Sequence, residues 1–136
     1  PMGFVDPTGL TQQDIDEMVC FARANNPDLE IPDPKVHKIP RKRYMPDHWV
    51  IAGQVGSFPW SPIELNSDLY LPELTAKQRV GLYNTIVHEA WHYRTPWYWR
   101  PFEWDKEKNA YREGNERTER VEDRILKGDI GKCACP

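Results

Sequence analysis

The sequence predicts a small α+β domain: a helix carrying an H-E-x-x-H motif, packed with a short sheet and a long C-terminal helix. Three observations lead there. Apolar residues recur at helical spacing in two separate segments, and a third helix is expected after them. Short apolar runs bounded by turn residues lie between the first and second of these. The chain has 136 residues, room for one domain with a small core rather than for two.

Composition narrows the class. The net charge of −3 argues against binding driven by nucleic-acid phosphates or by an anionic membrane. No run of about 18 apolar residues exists, so no membrane-spanning helix is expected. No signal peptide is visible, and nothing recurs at a fixed period. Three cysteines do not make a disulfide framework. Apolar residues amount to only 39%, so the six Trp and six Tyr are expected to supply much of the core, and thirteen Pro predict irregular connections.

The elements follow in order. Residues 1–10 hold Gly3, Pro7 and Gly9 without periodicity and read as a tail from something else. A helix is expected over Thr11–Asn25, capped by Thr11, with Asp14 supporting its first turn. Ile15, Met18, Val19 and Ala22 share one face, and Pro27 ends it. Residues 27–46 read as an extended, proline-punctuated loop carrying Lys35, Lys38, Arg41, Lys42 and Arg43. Such a charge run is ordinarily a solvated loop, and otherwise a patch for an acidic substrate or partner. Residues 49–52 and 62–71 read as short strands. Thr75 and Gln78 then form a capping box. Val80, Tyr83, Val87 and Trp91 track one face of a helix that must stop before Pro96. A last helix is expected over about residues 102–127, stopped by Gly128 and open to a kink at Gly114.

The chemistry lies in His88-Glu89-Ala90-Trp91-His92. Residues four apart on a helix stand one above the other, so both imidazoles can face one metal ion. Glu89 is turned away from His88 by about a hundred degrees, which places its carboxylate beside a metal rather than on it. There it can take a proton from water and pass it to a leaving group. Zinc would supply the activation, since it lowers the pKa of its bound water to near neutrality.

A catalytic zinc needs a third protein ligand and an open position. No His follows His92, so the ligand should be a carboxylate of the last helix. Glu103, Glu107, Ala110 and Tyr111 share a face there, and a small Ala110 would allow close packing on the motif helix. Glu107 is therefore favoured, Glu113 second and Glu103 third, with Asp105 weaker. Later carboxylates are interleaved with arginines, as on a salt-bridged surface. Tyr111, one turn past Glu107, is either a donor to a developing oxyanion or an ordinary packed aromatic. Trp91 is expected beneath the site. Trp97, Trp99 and Trp104 are core or cleft wall. His37 reads as exposed, and His48 as a minor contact at most. Cys20 reads as a core thiol. Cys133 and Cys135 have a spacing that fits a mobile tail or a disulfide as well as a metal.

Two resemblances emerge. His88–His92, with Glu107-Lys108-Asn109-Ala110-Tyr111, resembles the zincin metallopeptidases, the second segment looking like the E-x-x-A-[D/Y] helix of their gluzincin branch. The match covers about residues 63–127. It implies Glu107 as third ligand and a strand before the motif helix that lines the substrate by edge pairing. The longer metzincin motif is absent. Separately, Val5-Asp6-Pro7-Thr8-Gly9-Leu10 resembles the D-P-x-G-L junction of Rhs/YD-repeat polymorphic toxins, whose core cleaves itself after this Leu. That implies a junction remnant over 1–10 and a toxin domain over 11–136. Together they imply a zinc metallopeptidase toxin secreted within a larger effector by a type VI or related apparatus. It would be delivered into a target bacterial cell, cut a protein there, and be neutralised by a cognate immunity protein. The alternatives are a metal-dependent amidase acting on peptidoglycan, a nuclease-type tail, which the acidic balance disfavours, and a binding module with a structural metal.

Overall fold

Three helices and a three-stranded sheet form an α+β arrangement in the order α1 (Gln12–Asn25), β1 (Lys35–His37), β2 (Gly53–Val55), β3 (Ile63–Asn66), α2 (Ala76–Tyr93) and α3 (Glu107–Leu126). The computed structural model describes residues 12–46, 50–56, 60–69, 74–96, 99 and 107–130. The Thr11 cap, the 1–10 junction, His48, Trp97, Glu103, Trp104, Asp105, Cys133 and Cys135 lie outside the described residues.

Helix α1 buries Ile15, Met18, Val19 and Ala22, together with Phe21. Its end is secured by two asparagines. Asn25 Nδ2 donates to the Phe21 carbonyl at 2.8 Å, and buried Asn26 donates to the Ala22 carbonyl at 2.8 Å. Carbonyls that helix geometry leaves without an amide partner are thereby satisfied. Pro27 then blocks continuation. Cys20 is buried as expected, but it is disulfide-bonded rather than a free thiol.

The sheet departs from the sequence reading. Its order is β1-β3-β2, with β1 parallel and β2 antiparallel to β3. Strand β1 forms inside the segment read as loop, because Val36 pairs with Leu65 while the charged residues around it stay outside. Strand β2 begins at Gly53, just after the expected 49–52 run. Strand β3 is shorter than 62–71. Ile63 and Leu65 point inward, and Glu64 faces out to hold His37 at 2.8 Å and Gln54 at 2.6 Å. His37 is thus half-buried and paired across the strands, not simply exposed. Asn66 ends β3 fully buried. Its Nδ2 donates to the Ile51 carbonyl at 2.7 Å and the Ile39 carbonyl at 3.3 Å, tying two loops together.

Helix α2 starts where the capping box puts it. Gln78 N–H donates to Thr75 Oγ1 at 3.1 Å, and Thr75 N–H donates to Gln78 Oε1 at 2.8 Å. The buried stripe is Leu82, Tyr83, Ile86, Val87 and Ala90, with Val80 and Trp91 half-buried at its margins. Helix α3 lies along α2 through Ala110, Gly114, Thr118, Val121 and Ile125. Gly114 does not break it. A Cβ there would stand 2.7 Å from Asn84 Oδ1 and 3.5 Å from the His88 Cβ, so the glycine serves close helix approach. The helix closes on Gly128 at φ 73°, with Asp129 N–H to the Arg124 carbonyl at 2.8 Å and Gly128 N–H to the Ile125 carbonyl at 3.0 Å. This paired left-handed ending satisfies the last carbonyls.

The core between α1, the sheet, α2 and α3 is aliphatic. Among the described residues Phe21 and Tyr83 are its fully buried aromatics, while Tyr44, Trp60, Trp99 and Tyr111 are exposed. Among the described residues, aliphatic side chains outnumber aromatic ones in it. The buried stripe of α2, the inner face of the sheet, α1 and the end of α3 supply its Ile, Leu and Val.

Candidate metal centre

Two helices build the site. α2 presents His88, Glu89 and His92 from its last turns, and α3 presents Glu107 from its first residue. His88 Nε2 lies 2.7 Å from Glu107 Oε1, and His92 Nε2 lies 2.7 Å from Glu107 Oε2. One carboxylate thus meets both imidazoles with its two oxygens. The histidine rings sit edge to face, with centroids 5.0 Å apart. Both histidine side chains are largely buried, and that of Glu107 is 45% exposed. The hydrogen bonds from His88 and His92 hold the Glu107 carboxyl well below the usual carboxylate range.

The donor chemistry fits a metal ion. One ligand atom from each of His88, His92 and Glu107 falls within 4.8 Å of the others. Two imidazole nitrogens and one carboxylate oxygen leave coordination positions open. Glu113 pairs with Arg117 at 3.2 Å, one helical turn on, and is not in this cluster.

Glu89 is close but apart. Its carboxylate is 3.8 Å from His88 Nε2 and outside the three-residue cluster. It is 7% exposed, and burial pushes its pKa up to about 7 against the attraction of His88 and His92. A carboxylate held there can accept and return a proton near neutral pH. Gly53 makes this packing possible. A Cβ at Gly53 would stand 2.7 Å from Thr85 Cγ2, 3.0 Å from the Glu64 carbonyl and 3.3 Å from Glu89 Cγ.

A cleft of about 570 Å³ opens onto the site. Met45, Val50, Ile51, Ala52 and Gly53 form one wall, and the α2–α3 groove, from Gly81 and Asn84 to His88, Glu107 and Tyr111, forms the other. Tyr111 is 58% exposed, with its ring 4.5 Å from that of His88. Burial and the neighbouring Glu107 and Glu89 charges raise its pKa. Trp91 is half-buried and packs against the core. The Arg94 guanidinium lies 3.7 Å from its ring centre. The strand next to the cleft is β2, because β3, which precedes the motif helix, is paired on both edges. The strand expected at 49–52 gave no sign that Met45 and Val50–Gly53 line a cleft, and nothing in the sequence marked the Asn84–Asn115 bridge of 2.9 Å. Gly53, directly after an apolar run, was the one available hint.

No family profile, no curated protein and no solved structure matches this chain. No helix among the described residues is long and apolar enough to cross a membrane.

Proposed function

We propose that the chain is a zinc-dependent metallopeptidase of zincin type, acting as a bacterial competition toxin. The observation that carries this is a division of labour on one helix turn. His88 and His92 converge with Glu107, while Glu89 between them stays buried beside the cluster with its pKa raised. A structural metal site would have no use for that last group.

His88, His92 and Glu107 would hold the ion. When bound, zinc supplies Lewis acidity and makes hydroxide accessible near neutral pH. Glu89 takes the proton from the attacking water and returns it to the departing amine nitrogen. Tyr111, whose ring lies 4.5 Å from that of His88 on the cleft, would donate a hydrogen bond to the oxyanion that develops on the scissile carbonyl. The outer edge of β2, which no described strand pairs, would pair with an extended substrate and hold its carbonyl over the cluster. The toxin role rests on the Asp6-Pro7-Thr8-Gly9-Leu10 junction, with release after Leu10, delivery by a secretion apparatus and a cognate immunity protein as its corollaries.

Purified protein tests this directly. One zinc per chain is expected by elemental analysis, with Glu107→Ala losing it and Glu113→Ala keeping it. A chain that binds no zinc, or binds it equally in Glu107→Ala, contradicts the assignment.

A further inference from the structure

Among the described residues the cleft that exposes the cluster has no lysine or arginine in its lining; its charged residues there are Glu89 and Glu107, beside His88. Yet the chain just outside it is strongly cationic. From Lys35 to Pro46 there are five Lys and Arg and no Asp or Glu, in a protein of net charge −3. Lys35, Lys38, Arg41, Lys42 and Arg43 are all exposed.

Geometry brings this run to the cleft mouth. Met45 N–H donates to the Lys42 carbonyl at 3.0 Å, closing a tight turn with Arg43 and Tyr44 at its tip. Met45 itself lines the cleft, and Tyr44 is 82% exposed. Asn66 fixes the approach. Its side chain holds the carbonyls of Ile39, before the turn, and Ile51, on the cleft wall. The turn is therefore joined at Met45 and Ile39 to the wall that ends beside Glu89.

We propose that the Lys42–Met45 turn selects acidic residues in the substrate, a short distance from the bond being cut. This rests on the metallopeptidase reading and names its substrate class. The physical case is complementarity. An acidic side chain finds no cation among the described residues that line the cleft, but meets Lys42 and Arg43 where the substrate chain leaves it. Exposed cations act over about 8 Å at physiological ionic strength, so only residues near the rim are read. Tyr44 adds an exposed aromatic face to the same tip.

The test uses full-length protein and two probes. The first is a proteome-derived peptide mixture, with cleavage sites read by mass spectrometry. Wild type should cut where Asp or Glu lies within a few residues of the site on one side. Lys42→Gln with Arg43→Gln should lose that enrichment, and Lys42→Glu with Arg43→Glu should shift it toward Lys and Arg. The second probe is a fluorescent Asp/Glu-rich peptide bound to Glu89→Gln, followed by anisotropy. Adding Lys42→Glu and Arg43→Glu should weaken binding by about ten-fold or more. An equal charge change at Lys77 and Arg120, which do not line the cleft, should weaken it far less. Cleavage without acidic preference, or equal weakening by both charge changes, overturns the proposal. Absence of any Glu89-dependent cleavage overturns the peptidase reading instead, while the binding arm still decides the turn's role.

Discussion

At the residue scale, the proposed roles of the residues near the cluster can be separated by substitution. Glu89→Gln keeps the shape of the side chain and removes its proton chemistry, so we expect peptide cleavage to fall about 10²–10⁴-fold with zinc retained. The same substitution makes a second, opposite expectation about stability. The Glu89 pKa is raised by burial from 4.5 to about 7. A group raised on folding contributes stability below its unfolded pKa and loses it as pH climbs through the folded one. Chelator-treated wild type should thus weaken between about pH 4.5 and 7 relative to Glu89→Gln, which should be the more stable of the two at pH 8 in urea denaturation. Equal stability at both ends would show that Glu89 is not held charged in an apolar place. Much of this residue-level pattern was legible in the sequence. The spacing of His88 and His92 fixes their common face, and Glu107 heads the only later carboxylate face free of interleaved arginines. Tyr111 was not decidable, because helical spacing alone does not separate a packed ring from one half open to a cleft.

At the scale of elements, two glycines set the distances that the site depends on. Gly53 lets β2 lie against Thr85 and Glu89, and one contact a new Cβ would make is with the backbone carbonyl of Glu64, which cannot rotate aside. Gly53→Val should therefore cost about 1–3 kcal/mol and lower cleavage activity further, since Glu89 is displaced with the strand. Gly114 faces a softer neighbour, the end of the Asn84 side chain. Gly114→Ala gains about 1 kcal/mol in helix propensity against that contact and should be near neutral in thermal unfolding. Gly114→Leu should separate α3 from α2 and reduce zinc affinity, because Glu107 rides on α3. The helices were readable from capping box, apolar stripe and stop signals. The sheet was not, since β1 and β2 are three residues each and exist by pairing with β3. Cross-strand contacts of that kind leave little trace in local sequence.

At the scale of the whole molecule, a second polar cluster joins α1, α2 and α3. Arg117 donates to Asn26 Oδ1 at 3.1 Å and to both oxygens of Asp28 at 2.8 and 2.7 Å, and Asn26 reaches the Tyr83 hydroxyl at 2.9 Å. The Arg117 hydrogen bond lowers the pKa of Asp28 from 3.8. A carboxylate lowered on folding adds stability above its unfolded pKa and loses it as pH falls through the folded one. Arg117→Met should accordingly flatten the loss of thermal stability below about pH 4, while reducing stability at neutral pH. This clamp was invisible in the sequence because its partners lie about ninety positions apart, at Asp28 and Arg117. Cleft and rim meet in a single question, whether the molecule cuts proteins inside a cell that contains it. The most direct measurement is mass spectrometry of newly formed protein N-termini in cells expressing wild type or Glu89→Gln. We expect a set of new termini with wild type, preceded or followed by acidic residues, that is absent with Glu89→Gln. Toxicity from wild type with no new termini, or full toxicity from Glu89→Gln, would contradict the assignment of a metallopeptidase.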